Sequence, residues 1–237
     1  MKQKRNIRER DRRRRWIYGL AIAGGILAVV LLLVMVGTEP QDGDKQDSGG
    51  DALSLPYKDD LISCESYSSF SGQYVEDGTD IPVENVAAML VTNRSKNFLD
   101  IATIEYEIDG KPATFVVTGL PAGKSAWVME KNQMTIEKDA NFKYIEKATG
   151  FKSGVVNVTD KITLYADGNM LTAVNNTGEK LEGVFVYYKT LHTDGNYLGG
   201  IAYMTTFGDL EPGEKKTELA GHYDKDKTEI VRIGWKE

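Results

Sequence analysis

The chain has 237 residues, with 29 Lys and Arg against 35 Asp and Glu for a net charge of −6, and it holds one cysteine and two histidines. A single cysteine excludes an intramolecular disulfide, so a domain outside the cytoplasm must rely on its own core. Residues 1–36 carry nine Lys or Arg and two acids, net +7, which leaves −13 on the remainder; so acidic a surface repels polyanions, and we expect no nucleic-acid partner.

Residues 1–15 form the basic tail, and Trp16 to Val36 come next as 21 uncharged, mostly apolar residues. At about 1.5 Å rise per residue such a run spans a hydrocarbon core of roughly 30 Å, and the positive charge ahead of it holds the N-terminus in the cytoplasm. The sequence predicts a single-pass helix over 16–36, with the lipid bilayer as its partner and all later residues outside the cell. A cleaved secretory signal has an apolar core of roughly 7–15 residues and a small-x-small site. This run is longer and leaves through Met35-Val36-Gly37-Thr38-Glu39-Pro40, so it reads as a retained signal anchor. The cluster Arg12 to Arg15 is a topology determinant facing anionic lipids. Leu61-Ile62-Ser63-Cys64 has lipobox spelling but lies far beyond the apolar run, so Cys64 reads as a free thiol.

Residues 37–58 read as a disordered polar linker with almost nothing apolar to bury, holding the rest of the chain on the order of 25 Å from the bilayer. Asp42 and Asp44 have the spacing that opens a calcium loop, but the required Gly and Glu are missing from the positions after them. No metal site and no cofactor are expected.

Past the linker the period becomes two. Ala102, Ile104, Tyr106 and Ile108 alternate with polar residues and end at the Asp109-Gly110 turn, and Val184, Val186 and Tyr188 alternate likewise. Further strands are predicted at 86–91, 114–117, 125–129, 162–165, 170–174, 200–205 and 228–235. Helical periodicity is nearly absent.

The chain also resembles itself. Asn93-Arg94-Ser95, Leu99, Ile104 and Tyr106 recur as Asn175-Asn176-Thr177, Leu181, Val186 and Tyr188 at a shift of 82, and Leu120-Pro121-Ala122-Gly123-Lys124 recurs as Leu210-Glu211-Pro212-Gly213-Glu214 at a shift of 90. The second copy therefore holds eight extra residues, placed in a Leu191 to Gly200 hairpin. In each copy an Asn followed by a hydroxyl residue closes a turn, and the Pro-Gly element makes another. We expect an all-β fold of two related antiparallel domains, 59–150 and 151–237.

The Asn–hydroxyl turn, the strand ending in Tyr (Glu105-Tyr106-Glu107-Ile108-Asp109 and Tyr187-Tyr188-Lys189) and the Leu-x-Pro-Gly-Glu element resemble the FxLYD-type domains of exported Gram-positive proteins, over about 50 residues of each copy. The resemblance implies immunoglobulin-like β-sandwiches with no catalytic residues to carry over.

Little in the chain points to chemistry. His192 and His222 lie beside turn residues with no evident partner. Gly119 to Ser125 looks like a phosphate loop, but its glycines are one residue too close. Asp224-Lys225-Asp226 reads as a solvated loop, and Asn93, Asn157 and Asn175 in Asn-x-Ser/Thr triplets read as turn chemistry. No catalytic residue is expected. Tyr67, Phe70 and Tyr74 read as packing residues. His192, Asp194, Asn196 and Tyr197 in the extended hairpin are the candidate binding residues, since Tyr on a fixed loop offers large contact area.

These readings point to a non-catalytic, membrane-anchored envelope protein, suited to a Gram-positive surface, that binds a protein or cell-wall component. The alternative is a single-pass accessory subunit of a transport or secretion complex, in which Ala21-x-x-x-Gly25 and Gly24-x-x-x-Ala28 permit close helix approach. Oligomeric state is left open by the sequence.

Overall fold

The computed structural model describes residues 57–152 and 159–236; the basic tail, the apolar run at 16–36 and the linker up to residue 56 lie outside them. The described residues form thirteen strands and no helix: β1 Tyr57–Lys58, β2 Ile62–Gln73, β3 Pro82–Asn93, β4 Phe98–Ile108, β5 Lys111–Leu120, β6 Ser125–Met129, β7 Phe142–Lys152, β8 Ile162–Asp167, β9 Met170–Asn175, β10 Leu181–Leu191, β11 Tyr197–Leu210, β12 Lys215–Leu219 and β13 Thr228–Gly234. They make a seven-stranded sheet, β1-β2-β3-β6-β11-β10-β13, and two three-stranded sheets, β12-β9-β8 and β5-β4-β7.

Alternation explains the layers. On β4, Ala102, Ile104, Tyr106 and Ile108 face inward between half-exposed polar residues. They share one core with Phe115 and Val117 of β5, Met89 and Val91 of β3, and Val128 of β6. A second core gathers Ile162, Leu171 and Ala173 with Val184, Val186, Phe207 and Ile233.

Strands that correspond in the sequence pair alike in the two halves. Ile62 opposes Asn93 and Thr92 opposes Ser125 in the first half, as Ile162 opposes Asn175 and Val174 opposes Lys215 in the second. Ile104 pairs with Phe115 as Val186 pairs with Thr205. Even the irregularity is shared: β4 slips against β7 between Glu105 and Tyr106, and β10 slips against β13 between Tyr187 and Tyr188. The residue squeezed out is Ile145 in one half and Val231 in the other.

Two buried asparagines fix the turns that set this register. Asn93 Nδ2 donates to the carbonyls of Asn97 and Leu120, each at 2.9 Å, and its Oδ1 accepts from the Ser95 N–H and hydroxyl at 3.1 and 2.7 Å. Asn175 repeats every contact with Glu179, Leu210 and Thr177 at 2.7–3.0 Å. The amide thus ties the start of one strand to the Pro-Gly turn at the end of another, and no smaller side chain reaches both.

The halves meet where β6 pairs in parallel with β11, Ala126 opposite Tyr197 and Trp127 opposite Leu198. The seven-stranded sheet therefore runs unbroken from residue 57 into the second half. Tyr197 and Val231 enter the first core.

At the other end, the last two residues of the expected linker form β1. Tyr57 stacks on Tyr144 at 4.0 Å. Asp59 accepts from the N–H groups of Leu61 and Ile62 and from the Tyr57 hydroxyl, and it pairs with Lys147 at 2.7 Å. Burial pushes the Asp59 carboxyl up, but Lys147 and these donors outweigh it and hold the group down to about 2.

Both sets of contacts are testable by substitution. Asn93→Ala and Asn175→Ala each strand buried carbonyls and should cost about 2–4 kcal/mol in urea unfolding, whereas Asn176→Ala, one residue on, should change stability by less than about 0.5 kcal/mol. Because Asp59 has a depressed folded-state pKa, its contribution is fully present above about 4 and is lost as pH falls toward about 2. Thermal unfolding followed over that window should show Asp59→Asn with a shallower acid loss than wild type.

Candidate interaction surface

The extended hairpin holds the four residues to which the sequence points. In the first half, Ile108 and Lys111 close around Asp109 and Gly110, both at positive φ. In the second, pairing continues out to Leu191 and Tyr197, and the tip closes with the His192 N–H donating to the Asn196 carbonyl at 2.7 Å. The eight extra residues are thus an arm that carries the start of β11 alongside β6.

At the tip, Asp194 is the hub. One carboxylate oxygen accepts from the Asn196 N–H and faces His192 Nδ1, both at 2.9 Å, while the other accepts the indole N–H of Trp127 on β6 at 2.7 Å. Burial raises the Asp194 carboxyl, but Trp127, Asn196 and His192 hold it well below the usual carboxylate range. Asp194, His192 and Asn196 stay at the surface, whereas Tyr197 is 2% exposed and seated in the first core. Tyr197 is a strut of the joint, and the tip consists of the other three residues, with the half-buried Trp127 ring packed against the cluster of Tyr74, Val75 and Met129.

Just inside the arm lies a feature the sequence did not announce. Lys189 is fully buried, and its Nζ donates to the carbonyls of Gly200 at 2.7 Å, Ile201 at 2.9 Å and Thr118 at 3.2 Å. From the opposite side the Glu76 carboxylate accepts from the N–H groups of Gly200, Ile201 and Met129 at 2.8–3.1 Å. A cation on the carbonyls and an anion on the amides bracket the Gly200–Ile201 backbone. Burial pushes Lys189 down and Glu76 up from their ordinary values; each charge opposes the shift of the other, and the amides also pull Glu76 down. Only glycine fits here: a Cβ on Gly200 would lie 1.9 Å from the Val116 carbonyl oxygen, and one on Gly199, at φ +84°, would lie 2.4 Å from Val75.

Both histidines find partners that the sequence did not reveal. Besides the His192–Asp194 contact, His222 Nδ1 lies 3.2 Å from Asp80, and its ring stacks on Tyr203 at 4.3 Å. The Tyr203 hydroxyl donates to the Val75 carbonyl. The segment between β2 and β3, which carries Val75, Glu76 and Asp80, is therefore a wedge from the first half set against β11. Arg232 adds a third clamp, pairing with Asp100 at 3.1 Å while lying over the rings of Phe98 and Phe185.

The remaining sequence candidates are interior or uncommitted. Cys64 is buried on β2, where burial pushes its thiol up to about 12 beside the Tyr106 hydroxyl. Tyr74 is buried and donates to the Glu130 and Lys131 carbonyls, and Tyr67 stacks on Phe142 and donates to Ala140. An open cleft of 790 Å³ beside Tyr67 is lined by Ser68, Glu84, Thr135, Glu137 and Lys138. Among the described residues no cluster of His, Cys, Asp and Glu is placed to hold a metal ion. In the comparisons with known proteins, no family model matches the chain, and no curated protein matches it.

Removing either charge of the bracket should loosen the joint. Lys189→Met leaves three carbonyls unpaired and the Glu76 carboxylate without its cation, and should cost about 3–5 kcal/mol. Glu76→Gln keeps one acceptor oxygen and should cost less. Chemical denaturation gives the ranking, and amide hydrogen exchange at Gly200 and Ile201 should speed up in both variants before it does in β4.

Proposed function

We propose that the chain is a membrane-anchored, non-catalytic interaction protein of the cell envelope. In this reading two immunoglobulin-like sandwich domains of the FxLYD type, joined edge to edge, stand outside the membrane on a short polar linker and meet a protein or cell-wall partner. The observation that carries it is the 21-residue apolar run behind nine cationic side chains, followed by an acidic chain whose described part is all β. Geometry supports the non-catalytic part: the polar residues of the arm, the bracket and the wedge are engaged with one another and with main chain at the joint. What is left for a partner is exposed strand surface, where an open sheet edge can take up an extended segment.

The test is topological. Protease added to intact protoplasts should cut between residues 37 and 56 and release the β-rich part, while a tag ahead of Met1 stays protected. Protection of residues 37–237, or a mature N-terminus near Gly37, would overturn the anchored arrangement.

A further inference from the structure

The two halves repeat each other, yet equivalent surfaces are covered in one and bare in the other. In the first half the outer edge of β6 is occupied by β11, and the adjoining sheet face, with Ala88 and Met129, lies under Tyr74 and Val75 of the wedge. In the second half β12 stands in the place of β6. Among the described residues no strand pairs with its outer edge. The connection between β8 and β9 is only Gly168-Asn169, too short to fold back as the wedge does. Met170 and Leu219, the counterparts of Ala88 and Met129, are left 36% and 62% exposed, with Tyr165 beside them at 61%.

A bare edge of this kind seeks a strand, and β12 reads as complementary to itself. Its sequence is Lys215-Lys216-Thr217-Glu218-Leu219. When two copies meet antiparallel about a two-fold axis perpendicular to the sheet, opposed residues share a face, so only registers centred on a residue are allowed. Centring on Thr217 sets Lys216 across from Glu218 twice and Lys215 across from Leu219 twice. Centring on Lys216 or Glu218 instead sets like charges face to face. The Thr217 register also extends a ladder already present, since the Thr172 and Thr217 hydroxyls lie 2.7 Å apart; paired, Thr172-Thr217-Thr217-Thr172 runs across the axis. Cross-strand opposite charges and Thr–Thr pairs are the contacts that stabilise antiparallel sheets.

We infer that the outer edge of β12 binds β12 of a second copy of this chain, antiparallel and centred on Thr217, to make a two-fold dimer through a continuous six-stranded sheet. A head-to-tail assembly that copies the internal joint lacks its parts: β5, the counterpart of β11, has no eight-residue arm and opens on Lys111-Pro112, and proline cannot donate to a new ladder. The inference stands independently of the membrane reading, because it uses only the strand edge.

The experiment uses the full-length chain in the cells that express it. Thr217→Cys places two thiols across the axis at a separation that a disulfide spans, and Cys64, buried in the core, stays silent. Mild oxidation should give a covalent dimer. Adding Lys216→Glu or Glu218→Lys sets like charges face to face and should lower the yield roughly tenfold. Co-expressing the two charge-reversed forms of Thr217→Cys restores opposite charges across the axis and should recover the cross-link as a heterodimer, which also shows that both variants fold. No cross-link in Thr217→Cys, a yield indifferent to charge reversal, or equal cross-linking of Thr163→Cys on β8 would each overturn it.

Discussion

The joint rests on one short stretch of backbone, Gly200–Ile201, gripped by Lys189 on its carbonyls and Glu76 on its amides. Burying an ammonium or a carboxylate is strongly unfavourable unless each finds full compensation, and here main chain from three strands supplies it: Thr118 on β5, Met129 on β6, and β11 itself. The requirement runs both ways. Without the arm, Gly200 would not lie against Val116; without Gly at that position, the carbonyl would be pushed off; without the wedge, Lys189 would be buried with no opposing charge. Each device is tolerable only because the others are present, which makes the joint cooperative.

Comparing the halves shows how a repeat becomes a fused body. Inward positions such as Leu99 and Leu181, Ile104 and Val186, Tyr106 and Tyr188, and Leu120 and Leu210 match in the two cores, and the shared slip beside Tyr106 and Tyr188 shows the same backbone solution used twice. Two altered connections make the joint: the hairpin after β10 gains eight residues, and the one between β2 and β3 is the wedge. Their consequence is clearest at the squeezed-out residue. Ile145 lies 49% exposed on the first half, whereas its counterpart Val231 is buried in the core of the other half. An outward position in one half becomes an interior one in the next.

That exchange also sets what could be read from the sequence. Strands with clean alternation, such as 102–108 and 184–188, were legible because one face is apolar and the turns beside them carry Asn, Gly or Pro. The Asn93 and Asn175 turns were legible for the same reason, and so was the site of the eight extra residues. β2, in contrast, is Ile-Ser-Cys-Glu-Ser-Tyr-Ser-Ser-Phe-Ser-Gly-Gln, whose small polar residues pair well but print no period, and β7 has its period broken by the slip at Ile145. β12 is exposed along most of its length, so nothing demanded apolar residues there. Lys189 was illegible for a deeper reason: by alternation it belongs on the outer face of β10 with Phe185 and Tyr187, and only the arrival of the first half turns that face into an interior. The partner of His222 was hidden likewise, Asp80 lying more than a hundred residues before it.

Within the candidate hairpin, the same logic divides the residues by role. Tyr197 points inward because the position that opposes Ala126 must fill the first core, and Asp194 is committed to Trp127 and its own turn. The residues that make the arm recognisable as an insertion are therefore those that make it a structural tie. The surface free to meet a partner lies where the repeat has left positions uncovered, along the β12 edge with Leu219 and at Met170 beside it on β9. These lie on strands whose register is already fixed by buried asparagines and by the bracketed backbone. A partner engaging them would therefore need little reorganisation of the chain, and ordering entropy would take a small share of the binding free energy.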